Sequence, residues 1–290
     1  MSSHSRMPSV AVIGAAGQTG KRLVQALAER GAKVRALVHR DDRVPLAPKT
    51  FETRAVALED VPGLAEAFIG MDAVYYIPPP FDTHEVQYGA NVIAAAEGAG
   101  LPRLVYHSVM HSATPSMIHH ERKARVELAL RESPLAWTVL QPCIYSQSIL
   151  RFLGEDGTQL RVGFSPETMF TPIDVDDLAE AATAVLLESG HEYATYELAG
   201  RQRLSILEMA EDISRAEGRD VTVTSLTPAA VAAAAAARLG QEASLEMKAM
   251  LDHYDKYGYC GNANVLRMLL RREPVSFLDT ARREFPRHAR

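Results

Sequence analysis

Cysteine is nearly absent: Cys143 and Cys260 are the only two, and they form no C-x-x-C pair. This excludes a disulfide framework and a zinc ribbon, fits a reduced compartment, and leaves two ordinary buried thiols as the expectation. Long apolar runs are lacking as well. Ser9–Ile13 is far too short for a transmembrane helix, and the polar leader Met1–Met7 has no secretory apolar region. The chain therefore reads as a cytoplasmic protein with no membrane partner and a disordered leader. Nor is there an excess of positive charge: 31 Lys and Arg stand against 36 Asp and Glu, a net charge of −5, scattered along the chain. That argues against nucleic acid and favours a small-molecule substrate.

What is present is an alternation of short β-rich runs with helical stretches, in a chain of 290 residues that can bury a sizeable core. Val10–Ile13, Val34–Val38, Arg54–Leu58, Ala73–Ile77, Arg103–His107 and Trp137–Leu140 read as strands. The stretches between them carry helical spacing, including Val61–Ile69, a helix within Thr83–Gly98 and one through His119–Arg131. Six strands with helical crossovers require parallel pairing, and near-continuous apolar strands suit a sheet covered on both faces. The expectation is an α/β protein with a Rossmann-like, doubly wound parallel sheet over residues 8–150. Residues 151–290 read as a smaller, mostly helical C-terminal subdomain for substrate or lid, partly returning to the sheet. Within it stand a helix at Val175–Leu187, a return strand at Thr195–Leu198, a helix from Ser205, a strand at Val221–Thr224, and an alanine-rich helix from Pro228.

The first strand runs straight into Gly14-Ala-Ala-Gly-Gln-Thr-Gly20. Glycines in this first strand-to-helix turn allow a tight turn, close backbone approach to a pyrophosphate and close packing of helix on sheet. The helix N-terminus meanwhile offers unpaired N–H groups to the anion. Gly14, Ala16, Gly17, Gln18, Thr19 and Gly20 are the expected cradle of a dinucleotide. The spacing is G-x-x-G-x-x-G, not the G-x-G-x-x-G of many dehydrogenases. At the end of the second strand, where an NAD site presents a carboxylate to the ribose, stand His39 and Arg40. A guanidinium can fork onto a 2′-phosphate, so the cofactor is expected to be NADP(H), although Asp41 and Asp42 would bring acid near the ribose after a one-residue shift.

With these residues in place, the sequence resembles the NmrA-like group of atypical short-chain dehydrogenase/reductases over nearly its whole length. The matching stretches include Val12–Gly20, Ala73–Pro80, His107–His111, His119–Lys123, Leu140–Tyr145, Ile173–Leu178 and Tyr196–Gly200. The resemblance implies an NADP(H)-binding fold with a smaller C-terminal subdomain, in a group that holds quinone reductases, other NADPH-dependent reductases and catalytically silent redox sensors. The wider superfamily works with Tyr-x-x-x-Lys and an upstream Ser; here the aligned stretch is His119-His-Glu-Arg-Lys123, so the lysine survives and the tyrosine does not. The resemblance makes Lys123 a ribose ligand and a catalytic candidate. His119, four residues away on the same helix face, and Ser108, just past the fifth strand, are the other two. Either His119 donates a proton, or hydride is transferred without a dedicated acid, as a quinone permits. Pro78, in the rigid proline turn after the fourth strand, is expected beside the cofactor, as are Pro142 and Tyr145 after the sixth, where the resemblance places the nicotinamide end and where Tyr145 can contact substrate.

A metal site is not expected. His119-His120-Glu121 would need a histidine at position 124, which is Ala124, and Asp174, Asp176 and Asp177 suit a helix N-terminus. Three functions compete. One is an NADPH-dependent reductase of a quinone or related conjugated carbonyl; another is a non-enzymatic NADP(H)-responsive regulator of a protein partner. The third, a nucleotide-sugar epimerase or dehydratase, is disfavoured by the missing tyrosine. A homodimer is left open.

Overall fold

The computed structural model describes residues 7–46 and 52–285. The leader up to residue 6 lies outside the described residues, and with it the expectation of a disordered tail. In chain order the first half runs β1 (Ser9–Ile13), α1 (Gln18–Glu29), β2 (Lys33–Val38), a 3-10 stretch at Asp41–Leu46, β3 (Glu52–Ala55), α2 (Val61–Phe68) and β4 (Ala73–Tyr76). It continues with α3 (Glu85–Gly98), β5 (Arg103–His107), α4 (Ile118–Arg131) and β6 (Ala136–Pro142). The second half runs α5 (Ser146–Leu150), β7 (Gln159–Val162), β8 (Met169–Phe170), α6 (Val175–Leu187), β9 (Ala194–Leu198), β10 (Leu204–Ser205) and α7 (Ile206–Glu217). Then come β11 (Thr222–Ser225), α8 (Pro228–Leu239), α9 (Gln241–Tyr257), α10 (Asn264–Leu270) and α11 (Phe277–Glu284).

The main sheet has the order β3-β2-β1-β4-β5-β6-β9, and every neighbouring pair is parallel. From β1 the chain steps outward to β2 and β3, then returns to the other side for β4, β5 and β6. The order reverses between β1 and β4, and in such a sheet ligands bind beyond the carboxyl ends of the strands at that point. The period of two in a doubly covered strand is visible in β1: Val10 and Val12 enter one core, and Ala11 and Ile13 the other.

The doubly wound sheet and helical C-terminal region expected from the pattern are present. One strand is displaced. The third was expected over Arg54–Leu58, but β3 is Glu52–Ala55, and Leu58 is a buried loop residue. β3 is an edge strand whose four residues are all half-buried, so apolar content does not mark it. Its register against β2 is accompanied instead by the ion pair of Arg35 with Glu52 at 2.6 Å.

The second half closes back onto the first. β7 pairs with β11 and β8 with β10, and Tyr259 donates its hydroxyl to the Met110 carbonyl at 2.7 Å. Cys143 is buried, while Cys260 is only partly so, which corrects the expectation for that thiol. Among the described residues no helix is long and apolar enough to cross a membrane.

Candidate functional site

The glycine loop sits at the reversal of strand order, and its shape depends on having no side chains. Gly14 has φ of 81°, a left-handed backbone that favours glycine. A Cβ at Gly20 would lie 2.2 Å from the Gly14 carbonyl oxygen, so α1 can approach the loop this closely only with glycine there. Gly17 is the N-cap of α1, with no side chain capping the helix and no acid in its first turn. Donor groups at that end are thus left for an anion, and a diphosphate fits them. Ala16 and Gln18 are half-buried beside it, Thr19 is buried, and Gln18 accepts a hydrogen bond from the Arg151 guanidinium at 2.5 Å.

At the end of β2, His39 and Arg40 are exposed. The Arg40 guanidinium turns onto Asp42, at 3.2 and 3.3 Å. An exposed pair of this kind contributes about 0–1 kcal/mol, so a 2′-phosphate would displace it at little cost.

Beyond β4, β5 and β6 the polar groups form two buried clusters. In the first, the Tyr75 hydroxyl lies 2.7 Å from His107 Nδ1 and the Tyr145 hydroxyl 2.7 Å from His107 Nε2. Burial, followed by the nearby Lys123 charge, pushes the His107 imidazole down to about 3, so it is neutral and links the two phenols as donor on one nitrogen and acceptor on the other. Burial pushes Tyr145 up to about 12, and its hydroxyl also meets Thr19 of the first turn of α1. The ends of β4, β5 and β6 are in this way tied to the glycine loop. Pro78 and Pro142, both buried, flank the same edge.

The second cluster holds two of the three catalytic candidates, Lys123 and His119. Lys123 donates to Glu85 Oε1 at 2.5 Å, and the Tyr106 hydroxyl donates to the same oxygen at 3.0 Å; the Glu85 side chain is wholly buried. His119 and Lys123 do share a face of α4, and both turn to this carboxylate, His119 Nδ1 lying 3.9 Å from Glu85 Oε2. Phe81 stacks on the His119 ring at 4.4 Å. Burial and the charge of Lys123 hold His119 well below the usual histidine range. Ser108 stands apart: its hydroxyl donates to Glu127 Oε1 at 2.5 Å, and Gln141 donates to that oxygen at 2.7 Å. Of the three catalytic candidates, then, two converge and the third is committed elsewhere. Asp174 is the N-cap of α6, accepting the Asp176 N–H at 2.8 Å, as its place before the helix suggests.

A family model for the NmrA-like family matches residues 7–282. The chain belongs to the NmrA-like family. It is 30% identical over 224 residues to an NAD(P)H azoreductase of Xenophilus azovorans, covering 75% of this chain and 77% of that one. It is 27% identical to quinone oxidoreductase 2 of Escherichia coli, covering 78% and 80%. Among solved structures, the NADPH complex of an NADPH-dependent quinone oxidoreductase from Escherichia coli superposes with a TM-score of 0.83 at 24% identity, covering 95% of this chain and 99% of that one. That likeness is one of fold.

Reading the sequence missed Glu85, Glu127, His107 and Tyr75. Glu85 opens a helix, where an acid is favourable for its own sake, and so carries no signal. His107 ends an otherwise apolar strand, Leu-Val-Tyr-His, and a polar residue at that edge of a doubly wound sheet was the available clue.

Proposed function

We propose that the protein is an NADPH-dependent reductase that passes hydride to a quinone or a related conjugated acceptor. The relatives named an azoreductase and a quinone oxidoreductase support the reductase class. The observation that carries the choice of acceptor is the absence of a poised acid: the imidazole of His119 is buried and neutral, and the Ser108 hydroxyl is held by Glu127. A simple ketone needs a proton delivered to a developing alkoxide, whereas a quinone spreads the arriving charge over a delocalised oxygen that water can protonate.

In this reading Gly14, Ala16, Gly17, Gln18, Thr19 and Gly20 hold the pyrophosphate, and His39 and Arg40 take the 2′-phosphate. Pro78, Pro142 and Tyr145 line the nicotinamide end, with Tyr145 fixed from behind by His107. Bound NADPH would supply the hydride. Lys123 is assigned to hold Glu85, since its ammonium reaches a ribose only by leaving a buried carboxylate.

The test is NADPH oxidation by the pure protein with quinones, azo dyes and aliphatic ketones, beside titrations of NADPH and NADH. Quinone reduction should be fast and ketone reduction negligible. NADPH should bind more tightly than NADH, and Arg40→Ala should lose about 1–2 kcal/mol of NADPH affinity, a value discounted for the exposure of the pair. Fast ketone reduction would overturn the acceptor assignment, and tight binding without turnover on any acceptor would leave the cofactor-responsive regulator.

A further inference from the structure

Five buried side-chain polar atoms lack a partner among the described residues, and three of them belong to one cluster: Tyr76 Oη, Glu85 Oε2 and His119 Nδ1. A carboxylate offers about four lone-pair directions. Lys123 and Tyr106 occupy those of Oε1, so Oε2 is left without a hydrogen-bond partner, with His119 Nδ1 3.9 Å away. The Glu85 charge is felt at Tyr76, raising that phenol further after burial has already done so.

We propose that Glu85 is the positioning residue for His119, fixing its proton on Nδ1 and leaving Nε2 as a hydrogen-bond acceptor that faces a hydroxyl of the bound reduced product. A neutral imidazole has one proton. Placed on Nε2, it would set the Nδ1 lone pair against a carboxylate oxygen in a site closed to water; placed on Nδ1, it meets that oxygen favourably. At 3.9 Å the two are not hydrogen-bonded, but among the described residues nothing else is hydrogen-bonded to Nδ1, and such contacts shorten when a site is filled. Lys123 and Tyr106 keep the carboxylate in place, and Phe81 fixes the plane of the ring by stacking. Nδ1 is sealed from solvent without a partner, whereas Nε2 is not among the sealed, unpartnered atoms of the side chain, which keeps 10% exposure. The imidazole is held neutral by burial and by the Lys123 charge, so with its one proton on Nδ1 the Nε2 edge accepts and does not donate. Assigning the hydroxyl to a hydroquinone rests on the reductase reading, and the stacked Phe81 wall suits an aromatic ring.

The experiment is 15N NMR of histidine-labelled full-length protein, with His119 assigned from its loss in His119→Gln. In the unliganded chain Nδ1 should be protonated and Nε2 pyridine-like; a protonated Nε2 overturns the proposal. In Glu85→Gln the amide oxygen stays with Lys123 and the amide N–H turns to Nδ1, so the tautomer should reverse. An unreversed tautomer in a folded variant overturns it too, and if that variant does not fold, the wild-type spectrum decides alone. Anaerobic titration with a hydroquinone in the presence of NADP+ should move the Nε2 resonance, and no movement overturns the assignment of the hydroxyl. Failure of the reductase reading appears separately, as absence of NADPH oxidation, while the tautomer is still determined.

Discussion

The ammonium of Lys123 and the carboxylate of Glu85 are both out of water, with side-chain exposures of 7% and 0%, and they meet at 2.5 Å. Desolvating two such charges costs several kcal/mol each, and their mutual attraction with the Tyr106 hydrogen bond offsets it. Removing one partner alone leaves the other charge buried and uncompensated. Lys123→Met should therefore destabilise the protein by about 3–5 kcal/mol in urea unfolding at pH 7. The double substitution Lys123→Met with Glu85→Leu should recover most of that loss, because it removes both charges and keeps apolar volume. A lysine whose only role is to hold the cofactor ribose predicts the reverse: unchanged stability in Lys123→Met without cofactor, and no recovery in the double variant. The distinction lies in the free protein, before any nucleotide is added.

Among the elements, α6 shows how tertiary contacts complete a helix that local pattern only begins. Its first turn is capped by Asp174, whose buried carboxylate also accepts from Thr280 and Arg283, both at 2.6 Å, and from Gln147 at 3.1 Å. Its last carbonyls, on Val185, Leu186 and Glu188, are met by the Arg103 guanidinium from the start of β5 at 3.2, 2.8 and 2.9 Å. Asp174→Ala removes the cap and the partner of Gln147 and Thr280, though the Thr280 hydroxyl keeps the Ser276 carbonyl at 3.2 Å and Arg283 is free to turn toward solvent. It should cost about 2–4 kcal/mol, and Asp174→Asn clearly less; a loss under about 0.5 kcal/mol for the alanine variant would contradict this account. The helix was readable from Val175–Leu187 because acids precede an apolar periodic run, and β1 and α1 were readable because glycines punctuate them. β3 was misplaced, and β7, β8 and β10 were not anticipated, because short strands form through partners far along the chain: β7 through β11, and β8 through β10. The site divides in the same way. The glycine loop is a local motif and was legible, while the partners of Lys123 and Ser108 stand 38 and 19 residues away and were not.

At the scale of the whole molecule, one apolar core runs from Val10 and Leu23 through Leu178 to Leu266 and Phe277, joining residues of both halves. Loss of native structure anywhere along it is expected to take the rest along in a single transition. That makes global stability a sensitive reporter of buried titrating groups, and three imidazoles stand out. Burial pushes His107 and His120 down to about 3 and holds His119 well below the ordinary value. Each returns to about 6.5 in the unfolded chain. Since their folded values are depressed, the unfolded chain takes up protons that the folded one refuses. The stability these groups confer is complete above about pH 6.5 and is lost as pH falls from there toward 3. With about 1.4 kcal/mol per proton per pH unit, His107 and His120 together lower stability by about 1.4 kcal/mol between pH 7 and 6 and by about 4 kcal/mol between pH 7 and 5, and His119 acts in the same direction. Ordinary carboxylates, with unperturbed values near 4, contribute little over that range. Urea unfolding at pH 7, 6 and 5 should show this decline in one transition, and His120→Phe, which keeps a ring beside Tyr259, should remove about 2 kcal/mol of it between pH 7 and 5. A stability that changes by less than about 1 kcal/mol from pH 7 to 5 would mean that the imidazoles take up protons inside the folded protein, and with that the neutral, accepting state of His119 would fall as well.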